Sequence, residues 1–321
     1  MSATPADRPP LDTSALVDTV DAAAVRAFRR ARRRETTQSR TPGTTSAGSR
    51  VLAVVLRVVL LALLLAVAAV CLGTVYTLLL LGLRAAPLAA ALTTAGTAVV
   101  VLLVVVGVRR SSAHQHEQAY RLSRFAAANG FEHVPRVDDP QHPSRAFDVG
   151  ILRRATDVVR TPGPRPVEVA TYRYSAGYRS AEPFAWTYAT TSLDRSWPHV
   201  VVETLPARGT YGARAPRGVQ RVWELPLDGP FGDRHRAYGP PRSPASTAQD
   251  VLGPDVELLV RGRVPLAAEV VGDRLFLFSE RPLDLLDPVV WDRLLGATEH
   301  VAARLSRADG PTLPEADDAE G

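Results

Sequence analysis

The sequence predicts an α+β protein: an N-terminal transmembrane helical hairpin, then a soluble domain with a mainly antiparallel sheet and a C-terminal amphipathic helix. Two long apolar segments occupy residues 51–81 and 87–108. From Phe147 the apolar residues alternate as in strands, and after Asp287 they return to a helical period. Because about 20 apolar helical residues span a bilayer core, each apolar segment is long enough to cross a membrane.

The two apolar segments are joined by only residues 82–86, so the helices would lie side by side. We expect the first span to begin after Arg57, whose side chain would reach the lipid headgroups rather than act inside the membrane. Pro87 opens the second segment, where a missing N–H costs nothing. A cleaved signal peptide is the alternative and fits poorly, because a second span follows.

The distribution of arginine predicts the orientation of this hairpin. Nine arginines lie within about 20 residues of its outer ends, whereas the connecting loop holds only Arg84. Arginine-rich flanks stay in the cytoplasm. We therefore expect a multi-pass protein of the cell inner (plasma) membrane with both termini in the cytoplasm.

Residues 1–50 are expected to form a basic, largely disordered arm that is Pro-rich at its start and polar in the linker before the hairpin. From Ser14 the apolar spacing favours an amphipathic helix, and the alternative is a solvated arm that is only transiently helical. The lipid bilayer and its anionic headgroups are the expected partners. Besides Arg57, the arginines expected to contact lipid are Arg29, Arg30, Arg32, Arg33 and Arg34.

The amino-acid composition limits the reaction mechanisms and partners that are possible for this chain. All 38 basic residues are arginine, which excludes mechanisms that need a phosphate-loop or Schiff-base lysine. The positive charge lies beside the apolar segments, and residues 111–307 are nearly neutral, so lipid is a better partner than nucleic acid. The single cysteine, Cys71, can form no intrachain disulfide.

The region after the hairpin divides into a stalk helix at residues 111–130, a cytoplasmic α+β domain at 131–307 and an acidic disordered tail at 308–321. Asn129-Gly130-Phe131 predicts a helix stop. A polar, Pro-punctuated loop is expected to follow up to Arg145. Period-two alternation predicts strands at residues 156–160, 167–174, 184–192, 199–204, 220–225, 234–238, 267–271 and 274–279.

Three further elements complete the predicted domain. Gly272-Asp273 predicts a two-residue hairpin turn, and a short helix is expected at residues 247–260. Asp287 should cap the last helix, which Pro288 opens. Its apolar face consists of Trp291, Leu294, Leu295, Thr298, Val301 and Leu305.

Aromatic residues alternate along two neighbouring predicted strands, so their rings should share one face of the sheet. Such ladders form either a core or a face for a ligand or partner. The residues are Tyr172, Tyr174, Phe184, Trp186 and Tyr188. The histidine spacing matches no zinc motif, and His199 and Glu203 are about 13 Å apart at ~3.3 Å per residue, too far for a dyad. No cofactor, metal or catalytic residue is predicted.

Several runs resemble a family of uncharacterised actinobacterial membrane proteins. They are YRLSRFAAANGFEHVP, RPVEVATYRYSAGY, WTYATTSLDRSWPHVVVE and VVGDRLFLFSERPLDLLDPVVWDRLL, within residues 120–305. The resemblance implies a two-helix membrane segment and a cytoplasmic domain of unknown function. It supplies no catalytic residues.

We therefore expect a membrane-anchored binding or scaffold protein with an unidentified protein partner, rather than an enzyme. The alternative is a membrane-tethered enzyme that acts on a membrane-proximal substrate. A deep pocket that gathers His199, Glu203 or Glu168 would favour an enzyme, and an exposed apolar sheet face would favour a partner.

Overall fold

The computed structural model describes residues 9–38, 73, 86–177, 180–204, 223–225, 235–239, 266–279 and 281–307. The chain divides into two compact units, residues 1–19 with 119–321, and residues 20–118. The predictions that lie outside the described residues include the first span apart from Gly73, the helix at 247–260 and the acidic tail.

Three of the described helices lie in the N-terminal half. They are α1 (Ser14–Val17), α2 (Ala22–Gln38) and α3 (Ala86–Ala128). The sequence favoured one helix from Ser14, but the chain breaks before Asp21, whose Oδ1 accepts a hydrogen bond from the Ala23 N–H at 2.8 Å and starts α2 afresh. The second predicted span, residues 87–108, lies within α3.

The described residues include no helix that meets the length and hydropathy needed to cross a membrane. The two-span hairpin stays a prediction.

Seven strands of the described residues form one sheet whose pairings are antiparallel. They are β1 (Glu132–Asp138), β2 (Ile151–Arg160), β3 (Glu168–Gly177), β4 (Ser180–Thr204), β5 (Trp223–Leu225), β6 (His235–Gly239) and β7 (Leu266–Ser279). Their order is β1-β2-β3-β4-β6-β5, and β7 also pairs with β4. The predicted α+β class with a mainly antiparallel sheet is confirmed.

The strands predicted at residues 184–192 and 199–204 form the single strand β4, and the sheet also departs from the prediction at β1 and β7. Where a loop was expected, Glu132–Asp138 forms the edge strand β1, whose Pro135 is tolerated because an edge strand leaves some N–H groups unpaired. Gly272-Asp273 is not a hairpin turn. Both halves of β7 pair with the 25-residue strand β4, and Gly272, at φ +58°, lies opposite a register shift near Trp197.

One face of the sheet carries the helical part of the core. Helix α4 (Pro288–Arg307) buries all six of its predicted apolar-face residues, and the Asp287 carboxylate accepts a hydrogen bond from the Val289 N–H at 3.0 Å as the predicted cap. The stop after α3 is also as predicted. Gly130 has φ +67°, and the Phe131 N–H donates to the Ala126 carbonyl at 2.7 Å.

The N-terminal segment belongs to this same core. Leu16 in α1 is 2% exposed and packs in one cluster with Phe125, which is fully buried near the end of α3. The Arg121 guanidinium donates to the Leu16 carbonyl at 2.8 Å, and the Asp12 N–H donates to the Asn129 side chain at 2.9 Å. Residues 11–16 are thus part of the domain, although they were expected in the arm.

The opposite face of the sheet is aromatic and is covered by the segment between β1 and β2. Phe147, in a 3₁₀ turn of that segment (Arg145–Phe147), is 1% exposed. Its ring centroid lies 4.9 Å from that of Tyr172 and 5.0 Å from that of Tyr188. We call residues 139–150 the covering loop. The loop and this face enclose the site described next.

Candidate ligand-binding cleft

The strand register places a row of polar residues across this covered face. Glu132 on β1 is opposite Arg160 on β2, Arg160 is opposite Glu168 on β3, and Glu168 is opposite Thr190 on β4. Thr190 in turn is opposite Phe276 on β7. Because directly opposed residues have Cβ atoms only about 5 Å apart, their side chains can interact.

Glu168 is the centre of a hydrogen-bonded network in this row. The Arg160 Nε donates to its Oε2 at 2.7 Å, and the Tyr188 hydroxyl donates to its Oε1 at 2.7 Å. His142 of the covering loop brings its Nε2 to 3.5 Å from the same Oε1. The Glu168 side chain is 16% exposed, so both carboxylate oxygens face protein donors.

These donors determine the protonation states at the site. Burial by itself raises the pKa of Glu168, but the hydrogen bonds from His142, Tyr188 and Arg160 outweigh it and lower that pKa to about 2. Burial, reinforced by the neighbouring Glu168 carboxylate, raises the pKa of Tyr188 well above its ordinary value. Glu168 is therefore a fixed anion and Tyr188 a fixed hydroxyl donor near neutral pH.

A cleft of about 320 Å³ opens beside this network. Beyond the network, its polar wall includes Gln141, Thr190 and Arg274. Its apolar wall consists of Val137, Pro140, Ala155, Val158 and Pro166. A cleft with an apolar wall and a few convergent polar groups is the usual form of a small-molecule site, and this volume is near the lower limit of about 300 Å³ for such sites.

A second polar cluster also holds the covering loop to the sheet. The buried Ser144 hydroxyl donates to Glu269 Oε2, and His199 Nε2 lies 2.8 Å from Glu269 Oε1. The carboxylate stands between the hydroxyl and the imidazole. A nucleophilic triad needs the imidazole in the middle, so this cluster is not built to activate Ser144.

The predicted aromatic residues do share one face, and their rings contact one another. Tyr172 and Trp186 have ring centroids 4.8 Å apart, and those of Tyr174 and Phe184 are 5.2 Å apart. Four of the five residues are buried, and Phe184 packs against them partly exposed. Tyr188 is the member of the set that also lines the cleft.

The predicted lipid-contacting arginines Arg29, Arg30, Arg32, Arg33 and Arg34 all lie on α2, and the Arg32 guanidinium is 5.1 Å from the centre of the Phe28 ring. Arg57 lies outside the described residues. Within the part of the chain that the structure describes, no three His, Cys, Asp or Glu side chains cluster as metal ligands would.

Sequence reasoning missed most of this site. Glu168 was a candidate, and His142 was considered only as a loop histidine outside any zinc motif. The approach of His142 to Tyr188, 46 positions away in the chain, and of Glu269 to His199, 70 positions away, was not predicted. Only the Arg160–Glu168 pair carried a local signal. The two residues are eight positions apart on either side of a short connection, as in a hairpin that places opposite charges face to face.

No protein-family model matches the sequence, and no curated protein matches it either. Among solved structures, the crystal structure of the mycobacterial trehalose monomycolate transport factor A, TtfA, is a weak neighbour. The match has a TM-score of 0.41 at 16% sequence identity and covers 62% of this chain and 98% of that chain. A likeness at that score carries no inference about what this protein does.

Proposed function

We propose that this chain is a membrane-anchored binding protein whose domain holds a small ligand in the cleft beside Glu168. The observation that carries the proposal is the protonation state of the cleft. An acid–base catalyst works best with a pKa near the operating pH, whereas the pKa of Glu168 is lowered to about 2. Its carboxylate is thus suited to hold Arg160, His142 and Tyr188 in place.

The alternative function, a membrane-tethered enzyme, has less support. Among the described residues that line the cleft, Glu168 is the sole carboxylate, so no second acid is present to complete a catalytic pair. Tyr188 keeps its proton because burial raises its pKa. Neither of these two groups exchanges a proton readily near neutral pH, which favours binding over acid–base catalysis by Glu168 or Tyr188.

Membrane attachment is part of the same proposal and rests on the apolar residues 51–81 and 87–108. The packing of Leu16 against the domain core supports an even number of crossings. If residues 20–118 crossed the bilayer once, α1 and the domain would be on opposite sides and could not share a core. Two spans satisfy this condition, and the arginine bias favours a cytoplasmic position for both termini.

The arginines of α2 supply a further contact with the membrane in this proposal. Each basic residue at an anionic surface contributes roughly 1 kcal/mol of attraction. Because α2 follows α1 after four residues, the basic helix begins close to the domain in sequence. Its arginines would then bind anionic headgroups on the side of the membrane where the domain lies.

The proposed function is tested by asking what the protein carries when it is purified from membranes. We expect native mass spectrometry of the full chain to detect a small molecule that Val137→Trp, which fills the cleft from the edge strand β1, displaces. Val289→Trp is the matched control, because Val289 is 69% exposed on α4. A bound molecule that survives Val137→Trp unchanged would place binding elsewhere and contradict the proposal.

A further inference from the structure

We propose that the ligand of the cleft is a small organic anion, with one carboxylate or phosphate group held at Arg274 and an apolar body against the wall around Val158. The inference rests on the proposed function and adds the chemical class of the ligand. It follows from the charges that line the cleft, from an unsatisfied hydroxyl and from the cleft's two-part wall.

The charges inside the cleft do not balance. Glu168 and Arg160 neutralise each other through the 2.7 Å hydrogen bond between them. Arg274 also lines the cleft and is half-buried, yet its guanidinium has no hydrogen bond or ion pair to any described residue. A partly buried guanidinium without a counterion is unfavourable, because burial weakens its hydration and no described residue supplies a replacement. An anionic group on the ligand would supply the missing partner.

A second donor lies next to Arg274. Thr190 is opposite Phe276, and Arg274 is two residues before Phe276 on β7, so Thr190 and Arg274 are diagonal neighbours on one face. Thr190 is 2% exposed, and its hydroxyl has no hydrogen-bond partner among the described residues. A rotation of this side chain would present the hydroxyl to an acceptor bound at Arg274.

The oxygens of Glu168 do not compete for these donors or attract a cationic ligand. Its Oε2 accepts from Arg160, and its Oε1 accepts from Tyr188 with His142 also near. An ammonium group entering the cleft would have to share oxygens that already accept these charge-assisted or short hydrogen bonds. The hydrogen-bonding groups that the cleft leaves available to a ligand are therefore donors, and they favour a ligand that carries an acceptor.

The remainder of the wall sets the shape of the ligand. Apolar side chains from β1, β2 and the covering loop also line the cleft, beside its polar groups. A cleft of about 320 Å³ accommodates one ring or a short chain attached to the charged group. A bare inorganic anion would leave this apolar surface in contact with water and would bind more weakly.

The test uses the full chain in nanodiscs of zwitterionic phosphatidylcholine and four matched probes measured by calorimetry. Phenylacetate and phenyl phosphate carry the charge and the ring, phenylacetamide is neutral, and 2-phenylethylamine is cationic. We expect saturable binding of at least one anion, with the amide and the amine at least tenfold weaker. Inorganic phosphate, which lacks the ring, should also bind at least tenfold more weakly than phenyl phosphate.

Substitutions at and away from the cleft test whether the anion binds there. Arg274→Gln should weaken binding of the anion at least tenfold, and Arg274→Lys, which keeps the charge, should retain part of it. Arg281→Gln is the control, because Arg281 is exposed and lies outside the cleft lining. Circular dichroism of each variant shows whether the fold is intact.

Two outcomes overturn the inference. One is a neutral or cationic probe that binds as tightly as the anions, and the other is anion binding that is absent or unaffected by Arg274→Gln in a folded protein. Both differ from failure of the proposed function. If Val137→Trp still displaces a molecule purified with the protein, the cleft binds a ligand and only the anionic class is wrong.

Discussion

Glu168 shows how a buried charge can stabilise a fold when both of its carboxylate oxygens accept hydrogen bonds from the protein. Burial disfavours the carboxylate, and on its own would raise its pKa. Donors from Arg160, Tyr188 and His142 reverse that effect. Glu168 therefore stabilises the fold only while its carboxyl group is ionised.

Because its folded-state pKa is depressed from 4.5 to about 2, Glu168 contributes stability that is fully present above about pH 5 and is lost as the pH falls toward 2. The shift corresponds to about 3 kcal/mol in the free energy of unfolding. We expect Glu168→Gln to lower the unfolding free energy at pH 7 by that order and to flatten its dependence on pH between 5 and 2, as measured by urea denaturation.

Glu132→Gln is the control for that measurement. Glu132 contacts the same Arg160 guanidinium, but at 3.4 Å and with its side chain 61% exposed. Exposed pairs of this kind contribute about 0 to 1 kcal/mol. Equal effects of the two substitutions would contradict the network described here.

At the scale of elements, the short helix α1 depends on its contacts with the domain. Four residues are too few to form a stable helix alone, because nucleation is unfavourable. Its stability comes from burial of Ala15 and Leu16 and from the Arg121 hydrogen bond to the Leu16 carbonyl. The sequence pattern continued past Val17 and could not reveal that the chain would turn there.

Leu16→Ala should therefore lower the free energy of unfolding by about 2 to 4 kcal/mol, the cost of removing a buried leucine side chain. Hydrogen exchange should also speed up at residues 12–18. Val17→Ala, at a side chain 62% exposed on the same helix, should change stability by less than about 0.5 kcal/mol. Equal, small effects of both substitutions would show that α1 is not docked.

For the whole molecule, the features that could be predicted from the sequence are those that local periodicity encodes. The apolar face of α4, the stop at Gly130 and the shared aromatic face were predictable, because each depends on residues near one another in the chain. The cleft was not. His142 and Arg274 reach it from a loop and from β7, and only the pairing of distant strands brings them together.

The proposed topology predicts that α1 and α4 lie on the same, cytoplasmic side of the membrane. Cys71 is the only cysteine, so Cys71→Ala gives a background for single-cysteine labelling. We expect Val17→Cys and Val289→Cys, both at exposed side chains, to resist a membrane-impermeant maleimide in intact cells and to react after lysis. Labelling of one site alone in intact cells would contradict an even number of crossings.

The most direct test of a cleft built for binding is the titration of Glu168 itself. Carbon-13 NMR of the glutamate carboxyl carbons, with Glu168→Gln used to assign the signal, follows its protonation in the intact protein. Because the pKa of Glu168 is lowered to about 2, the account predicts an ionised carboxylate with no titration between pH 4 and 8. A midpoint between pH 5 and 7 would contradict it, since such a group could act as a general acid or base.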